Sequence, residues 1–196
     1  MSLSTLNRSG PLARLVHLLW RMDARYKIKR ITPLLRPGER LLDFGSGYGM
    51  ITEALTNQGF EVQPVDCADH HIVGQAPGVM DGRRLPYADR QFHTALLLTV
   101  LHHTPDPEAI VTECLRTSDR AIIVEDVYSN PVQQRLTWFF DSLFNLEFRG
   151  HPHTNKARQG WLDFFAGRGY RATLFRSDRF LLFFRQDIYL VENAPA

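Results

Sequence analysis

Short hydrophobic runs alternate with longer amphipathic segments along most of this chain. The pattern predicts strands near residues 40–44, 61–65, 78–80, 93–98 and 120–125, and helices over 11–30, 49–58 and 106–116. Strands that alternate with helices predict a mostly parallel sheet covered by helices on both faces. The tail, residues 170–192, is rich in β-forming side chains and predicts an antiparallel hairpin at the sheet edge.

The first predicted strand runs into a loop that has glycine at every second position, Gly45, Gly47 and Gly49. Glycine adopts backbone angles that other residues avoid, and it lets a ligand approach the main chain closely. The unpaired N–H groups at the start of the following helix face the same space. The loop is therefore typical of a nucleotide-type binding site.

The spacing of these glycines narrows the choice of ligand. A dinucleotide-binding loop reads G-x-G-x-x-G, and here Met50 stands where the third glycine would be. The chain has no G-x-x-x-x-G-K-[ST] segment, which excludes a P-loop. Asp43 lies two positions before Gly45, where a carboxylate would repel a phosphate but suit a cation or an amino group. The loop therefore favours a positively charged ligand over a pyrophosphate.

Three later segments extend the pattern. Residues 62–66 end a second short strand in Asp66, residues 81–87 read DGRRLPY, and residues 92–103 read FHTALLLTVLHH. Together with the glycine loop they resemble the motifs of class I S-adenosylmethionine (SAM)-dependent methyltransferases, most closely the UbiE-like, type 11 group. The resemblance covers roughly residues 38–128.

The resemblance implies a Rossmann-like, doubly wound sheet of seven strands, and SAM as the cofactor. In the family, the carboxylate after the second strand holds the ribose hydroxyls, and the aspartate of the D-x-x-x-L-P-F segment contacts the adenine amino group. Carried over to this sequence, the cofactor-binding candidates are Asp43, Gly45, Gly47, Gly49, Asp66, Cys67, Asp81 and Gly82.

Three departures from the family pattern lead to expectations about structure. His93 stands where the family usually has an acid, and the short link between Asp66 and Asp81 predicts that the second helix is trimmed. Residues 116–120 replace the usual lysine-proline-glycine-glycine turn before the fifth strand, which we interpret as loop variation.

Substrate selection is expected in residues 126–169, after the fifth strand. His151, His153 and Asp126 are the candidate acceptor-side bases there, although the histidines could instead lie in a surface loop. Their spacing matches no usual zinc pattern, so no metal site is predicted. His102 and the neighbouring His103 are interpreted as structural. Glu125 could line the acceptor pocket or cap the following turn.

The N-terminal segment, residues 1–37, is predicted to be a helical cap on a methyltransferase domain of residues 38–196. Its apolar stripe is predicted to consist of Leu12, Leu15, Val16, Leu19, Met22 and Tyr26. This stripe could pack on the sheet or cap the site while the many basic residues stay solvated. The less favoured alternative is that this basic amphipathic helix makes peripheral contact with a membrane. Nucleic acid is not expected as a partner, because no binding module is recognised.

Composition is consistent with a single cytoplasmic domain. The chain has 196 residues, 44% of them hydrophobic, a net charge of +2 and only two cysteines, which fits a reducing compartment. No apolar run reaches the length of a membrane span. The function expected is methyl transfer from SAM to a small or hydrophobic acceptor such as a lipid or quinone. A non-catalytic binding or scaffolding subunit is the alternative, and a dinucleotide oxidoreductase ranks third.

Overall fold

A computed structural model describes residues 11–80, 83–135, 155–180 and 184–194. The strands are β1 Arg40–Phe44, β2 Glu61–Asp66, β3 Gly78–Val79, β4 Phe92–Leu98, β5 Ser118–Val127, β6 Tyr170–Phe180 and β7 Phe184–Asn193. The labelled helices are α1 Pro11–Ile31, α2 Met50–Thr56, α3 Pro107–Thr117 and α4 Arg158–Ala166, with short 3-10 turns at Thr32–Leu34 and Leu101–His103.

The seven strands form one sheet in the order β3-β2-β1-β4-β5-β7-β6. Strands β1 to β5 are parallel, and β7 inserts antiparallel between β5 and β6. The predicted Rossmann-like sheet with its antiparallel C-terminal hairpin is confirmed. The strand order reverses between β1 and β4, and in open α/β sheets the crevice at the carboxyl ends beside such a point binds the ligand.

Alternate residues of the central strands face two separate hydrophobic layers. One layer is lined from the helices by Val111 and Cys114 of α3 and by Trp161 and Phe165 of α4. The other receives Ile28 of α1 and Leu55 of α2. Each fully buried aliphatic or aromatic side chain contributes about 2 kcal/mol, so the two layers hold the strands in register and fix their carboxyl ends relative to one another.

Helix α1 buries only part of the stripe that its sequence predicts. Leu19 and Met22 are 45% and 57% exposed, whereas Val16 and Tyr26 are half-buried. The fully buried apolar residues of α1 are instead Ala24, Ile28 and Ile31. Packing of Leu19 and Met22 on the sheet is therefore not observed, because α1 has apolar side chains on two sides and periodicity alone does not select the inward one. Arg30 is also only 3% exposed, which corrects the expectation that the basic residues are all solvated.

Two of the departures from the family pattern have structural counterparts. Residues 67–77 contain no helix, which confirms the trimmed connection between β2 and β3. The loop expected at residues 116–120 is absent, because α3 ends at Thr117 and β5 begins at Ser118. Arg120 instead reaches from β5 to the Glu39 carboxylate at 2.9 Å, near the amino ends of the strands.

The third departure, His93, lies far from the predicted binding edge. Its Nδ1 accepts from the Arg40 backbone N–H at 2.9 Å, at the amino ends of β1 and β4. Among the described residues, no helix is both long enough and apolar enough to cross a bilayer.

Candidate functional site

The loop between β1 and α2 has a backbone that only glycine permits. Gly49 has a φ of +83° and caps the amino end of α2. A Cβ placed on Gly49 would lie 2.1 Å from the carbonyl oxygen of Val73, which is closer than two non-bonded atoms can approach. The short β2–β3 connection therefore folds back onto the loop and fixes its path.

At Gly47, in contrast to Gly49, a side chain would meet no neighbouring atom. The φ of Gly47 is +52°, and a Cβ placed on it would have no heavy atom within 4 Å. The space in front of Gly47 is open, which is the space a ligand approaching the main chain requires. Gly45 also has a positive φ, of +76°, and its missing side chain makes room for Val100.

Asp66 connects the end of β2 to this loop. Its Oδ2 accepts from the Gly47 N–H at 2.7 Å, and its Oδ1 accepts from the Cys67 N–H at 2.7 Å. A carboxylate has about four lone-pair positions, so the half-buried Asp66 can hold the loop and still accept from ligand hydroxyls. Cys67 is exposed beside it.

Asp43 lies under the loop and is only 2% exposed. Its Oδ2 accepts from the hydroxyl of Thr52 on α2 at 2.6 Å, which ties β1 to α2. Burial raises the pKa of Asp43 to about 6, with the Thr52 hydrogen bond opposing the rise. A positive charge bound nearby would stabilise the ionised carboxylate.

Ser46 adds a polar group that sequence reasoning missed. Its Oγ is buried in the loop and has no hydrogen-bond partner within the described residues. Buried hydroxyls are normally paired. The open space at Gly47, the two carboxylates and this hydroxyl together fit a cofactor that carries a cationic group and hydroxyls.

The segment around Leu85 is held by a charged pair on α3. Glu113 Oε1 accepts from the Leu85 N–H at 2.7 Å, while Arg116 donates to the carbonyl oxygens of Leu85 and Tyr87 at 3.1 and 3.0 Å. The hydrogen bond from Arg116 keeps the pKa of Glu113 below its usual value. The i,i+3 spacing was the available sequence signal for this support. The candidates Asp81 and Gly82 lie outside the described residues.

Helix α1 runs along the carboxyl edge of the sheet and contacts three parts of it in turn. Trp20 stacks on Tyr48 of the glycine loop. Lys27 Nζ donates to Thr99 Oγ1, just beyond β4, at 2.9 Å. Arg30 Nη1 then donates to Gln186 Oε1 on β7 at 2.8 Å. The helix therefore lies along this edge at all three points, and its role as a cap on the site stays a prediction.

Thr99 adopts a backbone conformation that is unusual for its residue type. Its φ is +62°, a left-handed value that is rare for a β-branched residue. Its N–H is held by the Val124 carbonyl oxygen at 2.7 Å. Such strain is found mostly at functional sites, and no sequence pattern identified Thr99.

Asp126 lies near Lys27, on the face of β5 against which α1 packs. It is half-buried, and burial raises its pKa, while the nearby charges of His102 and Lys27 oppose the rise. The side chain of Gln186 donates to it. Because Arg30 holds Oε1 of Gln186, the amide nitrogen is left to face Asp126.

Glu125 points to the opposite face of the sheet from Asp126 and is fully buried. It accepts from the Leu101 N–H at 2.8 Å, and its other oxygen lies 2.5 Å from His102 Nδ1. Glu125 thus closes the turn after β4, not the turn after its own strand, which corrects the sequence expectation. The buried position of His102 and its contact with Glu125 agree with its structural interpretation, which stays a prediction.

The remaining acceptor-side candidates, His151 and His153, lie outside the described residues. Within the part of the chain that the structure describes, no group of histidine, cysteine and carboxylate side chains could hold a metal ion.

Among curated proteins, the chain is similar to ubiquinone biosynthesis O-methyltransferases, of which two examples follow. The protein of Idiomarina loihiensis is 34% identical in an alignment 91 residues long, which covers 40% of this chain and 37% of that protein. The protein of Xylella fastidiosa is 33% identical in an alignment 111 residues long, which covers 50% of this chain and 44% of that protein. The chain therefore spans about half, or less, of each relative.

Solved structures show the same fold. The YcgJ protein of Bacillus subtilis superposes with a TM-score of 0.65 at 14% identity, over 89% of this chain and 99% of that one. Magnesium protoporphyrin IX methyltransferase of Synechocystis, whose structure contains bound SAH, superposes with a TM-score of 0.62 at 15% identity, over 94% of this chain and 88% of that one.

The decisive match is to a family. A methyltransferase domain family matches residues 17–172, which is most of the chain, and includes the glycine loop, Asp66 and all of β1 to β5. The cofactor that this class uses is SAM, in agreement with the chemistry of the loop. The chain therefore belongs to the methyltransferase domain family and has the fold of the class I, SAM-dependent methyltransferases.

Proposed function

We propose that this chain transfers a methyl group from SAM to a hydroxyl oxygen of a small apolar acceptor of the quinone-precursor type. The observation that carries the proposal is the position of Asp126, which is half-buried beside Lys27 at the carboxyl edge and has a raised pKa. Similarity to ubiquinone biosynthesis O-methyltransferases over about half their length supports oxygen as the methylated atom and a quinone-like ring as the acceptor.

The cofactor would be held by the loop between β1 and α2 and by the end of β2. The open space at Gly47 would admit the ligand to the main chain. Asp66 would accept from the ribose hydroxyls with its remaining lone pairs, and Asp43 would compensate the positive charge. Cys67, exposed next to Asp66, would form part of the adenosine pocket wall.

Four other candidates are assigned to the shape of the loop or to the adenine. Gly49, with Gly45, would keep the loop in the conformation that leaves the space at Gly47 open. Asp81 and Gly82 are proposed to contact the adenine, because they begin the segment that Glu113 and Arg116 hold.

Asp126 is proposed to remove the acceptor's proton. When bound, SAM would supply a methyl group on a positively charged sulfur and would leave as the neutral thioether S-adenosylhomocysteine. The Asp126 carboxylate would accept the hydroxyl proton of the acceptor as the acceptor oxygen takes the methyl group in place of that proton. A raised pKa makes this carboxylate a better base than an exposed aspartate, and Gln186, which donates to it, keeps it oriented.

The test compares Asp126→Asn with Asp119→Asn, which changes an exposed acid at the other end of the same strand. With phenolic quinone precursors as acceptors, Asp126→Asn should lower kcat by roughly a hundredfold and leave the Kd for SAM unchanged. Asp119→Asn should change neither. An unaltered kcat in Asp126→Asn would remove this residue from the reaction.

His151 and His153 remain alternative bases in the same assay. If His153→Ala lowers kcat and keeps the Kd for SAM, the base lies on that segment instead of on β5. If SAM binds and no phenolic acceptor is methylated, the non-catalytic binding or scaffolding subunit becomes the better description.

A further inference from the structure

The outward face of α1 has an unusual composition for a surface helix. Leu18, Leu19 and Met22 are 52%, 45% and 57% exposed. The other large hydrophobic side chains that are exposed among the described residues are single ones on separate elements, Val79, Val132 and Phe175. A contiguous apolar group on a surface marks an interaction site more often than scattered single residues do.

Basic residues flank this apolar group on the same side of the helix. Arg14, Arg25 and Lys29 are exposed, and their spacing from Leu18 and Met22 follows the three- and four-residue steps of one helix face. We call Arg14, Leu18, Leu19, Met22, Arg25 and Lys29 together the outer face of α1.

The outer face carries no compensating acid. The single acid of α1 is Asp23, whose side chain is 40% exposed at the border of this face, and its carboxylate is paired with Lys27 Nζ at 2.7 Å. Glu53, on the neighbouring α2, is paired with Arg21 at 2.9 Å. The outer face is therefore apolar in its middle and positively charged around it.

We propose that the outer face of α1 docks on the surface of a membrane that contains anionic lipids. Exposed leucine and methionine side chains suit the boundary between headgroups and acyl chains, and lysine and arginine beside them suit lipid phosphates. A nucleic acid would use the cations but would leave the apolar group without a partner.

The outer face of α1 lies on the opposite side of the helix from its contacts with the carboxyl edge of the sheet. The opposite side of α1 contacts the glycine loop through Trp20, the end of β4 through Lys27 and the hairpin through Arg30. Docking through α1 would therefore hold the carboxyl edge of the sheet close to the bilayer. An apolar acceptor dissolved in the membrane would then reach the site over a short distance.

The test is co-sedimentation of the protein with vesicles, without methyl donor or acceptor, so that its result does not depend on the proposed reaction. We expect binding to phosphatidylcholine vesicles that contain phosphatidylglycerol, and little binding to pure phosphatidylcholine. Arg25→Gln with Lys29→Gln should weaken binding roughly thirtyfold, because two surface cations are removed. Leu18→Ser with Met22→Ser should have a larger effect and abolish sedimentation, because the apolar group itself is removed.

Matched controls are Val132→Ser and Phe175→Ser, which change other exposed apolar residues, 69% and 42% exposed, and should sediment like the wild type. Thermal unfolding of each variant is the check that α1 still packs on the sheet, and the unfolding temperature should stay that of the wild type. The proposal is overturned if the wild type does not co-sediment with anionic vesicles, or if Leu18→Ser with Met22→Ser binds as well as the wild type. It is also overturned if light scattering finds a dimer that this variant abolishes, since the face would then bind a second copy.

Discussion

The indole of Trp20 on α1 stacks on the phenol ring of Tyr48 in the glycine loop, with centroids 3.8 Å apart and an angle of 12° between the planes. Tyr48 lies between Gly47 and Gly49, so the stack joins the covering helix directly to the cofactor loop. Tyr48 also accepts, through its carbonyl oxygen, from the Ile72 N–H at 3.1 Å. One tyrosine thus connects α1, the loop and the β2–β3 connection.

Removing this stack should loosen the loop. Trp20→Ala should raise the Kd for SAM by up to about tenfold, since an aromatic pair contributes about 1 kcal/mol beyond its buried area. Trp20→Phe retains a ring and should stay within about twofold of the wild type. Calorimetric titration with SAM and S-adenosylhomocysteine measures both. Equal affinities in Trp20→Ala and wild type would mean that the stack does not support the loop.

Gly47→Val should abolish SAM binding while the protein stays folded. Gly59→Val is a matched control, because Gly59 also has a positive φ, of +90°, and open space around its Cβ, but lies in the turn after α2. Both substitutions strain the backbone by at least about 1–2 kcal/mol, and calorimetry should find SAM binding lost only at Gly47. Retained binding in Gly47→Val would place the ligand elsewhere.

Asp43 should make stability depend on pH. Burial raises its pKa from 3.8 to about 6, so between these values the folded state holds a proton that the unfolded state has released. Stability should therefore fall as pH rises through this window and level off above it, by about 3 kcal/mol in total.

The variant Asp43→Asn cannot ionise and should lack this fall. Denaturant unfolding of both proteins from pH 4 to 8 gives the difference, which isolates Asp43 from other titrating groups. Asp43→Asn should also bind SAM more weakly, because the compensating charge is gone. Parallel pH curves for the two proteins would contradict the prediction.

Arg116→Met should destabilise the protein by about 2 kcal/mol, since it leaves the largely buried Glu113 without its cation and frees two carbonyl oxygens. It should also weaken SAM binding, because the segment around Leu85 loses its support. Arg171→Met removes an exposed pair with Glu192 and should cost less than about 1 kcal/mol. Denaturant unfolding and calorimetry measure the two effects. Similar losses in both variants would argue against a special role for Arg116.

Asp66→Ala should raise the Kd for SAM roughly ten- to a hundredfold, as expected when hydrogen bonds to a charged group are lost. Asp69→Ala, three residues further on at an exposed position, is the control and should bind normally. Calorimetry provides the comparison. If Asp66→Ala binds SAM as tightly as the wild type, the ribose assignment is wrong and Asp66 serves only to hold Gly47 and Cys67.

Most of the sheet could be predicted from the sequence because the relevant signals are local. The hydrophobic runs of β1, β2 and β4 were located to within a residue or so, since each strand buries consecutive or alternate side chains that its own segment supplies. The glycine loop was recognisable for the same reason, as positive φ angles and close backbone approach leave a residue-type signature.

Contacts between distant segments were not predictable in the same way. The strained Thr99, the support of Leu85 by Glu113 and Arg116, and the turn closed by Glu125 depend on partners that the sequence does not place side by side.

The sequence by itself determined the order of the strands and of the first three helices, the cofactor loop and the family, because these follow from periodicity and from residue types at fixed spacing. Only the tertiary structure decided which side of α1 is buried. That helix has apolar and basic residues on both sides, so its own sequence does not decide which side is buried. The buried side is the one on which Ile28 packs in a hydrophobic layer of the sheet and on which Lys27 and Arg30 find hydrogen-bond acceptors at the carboxyl edge.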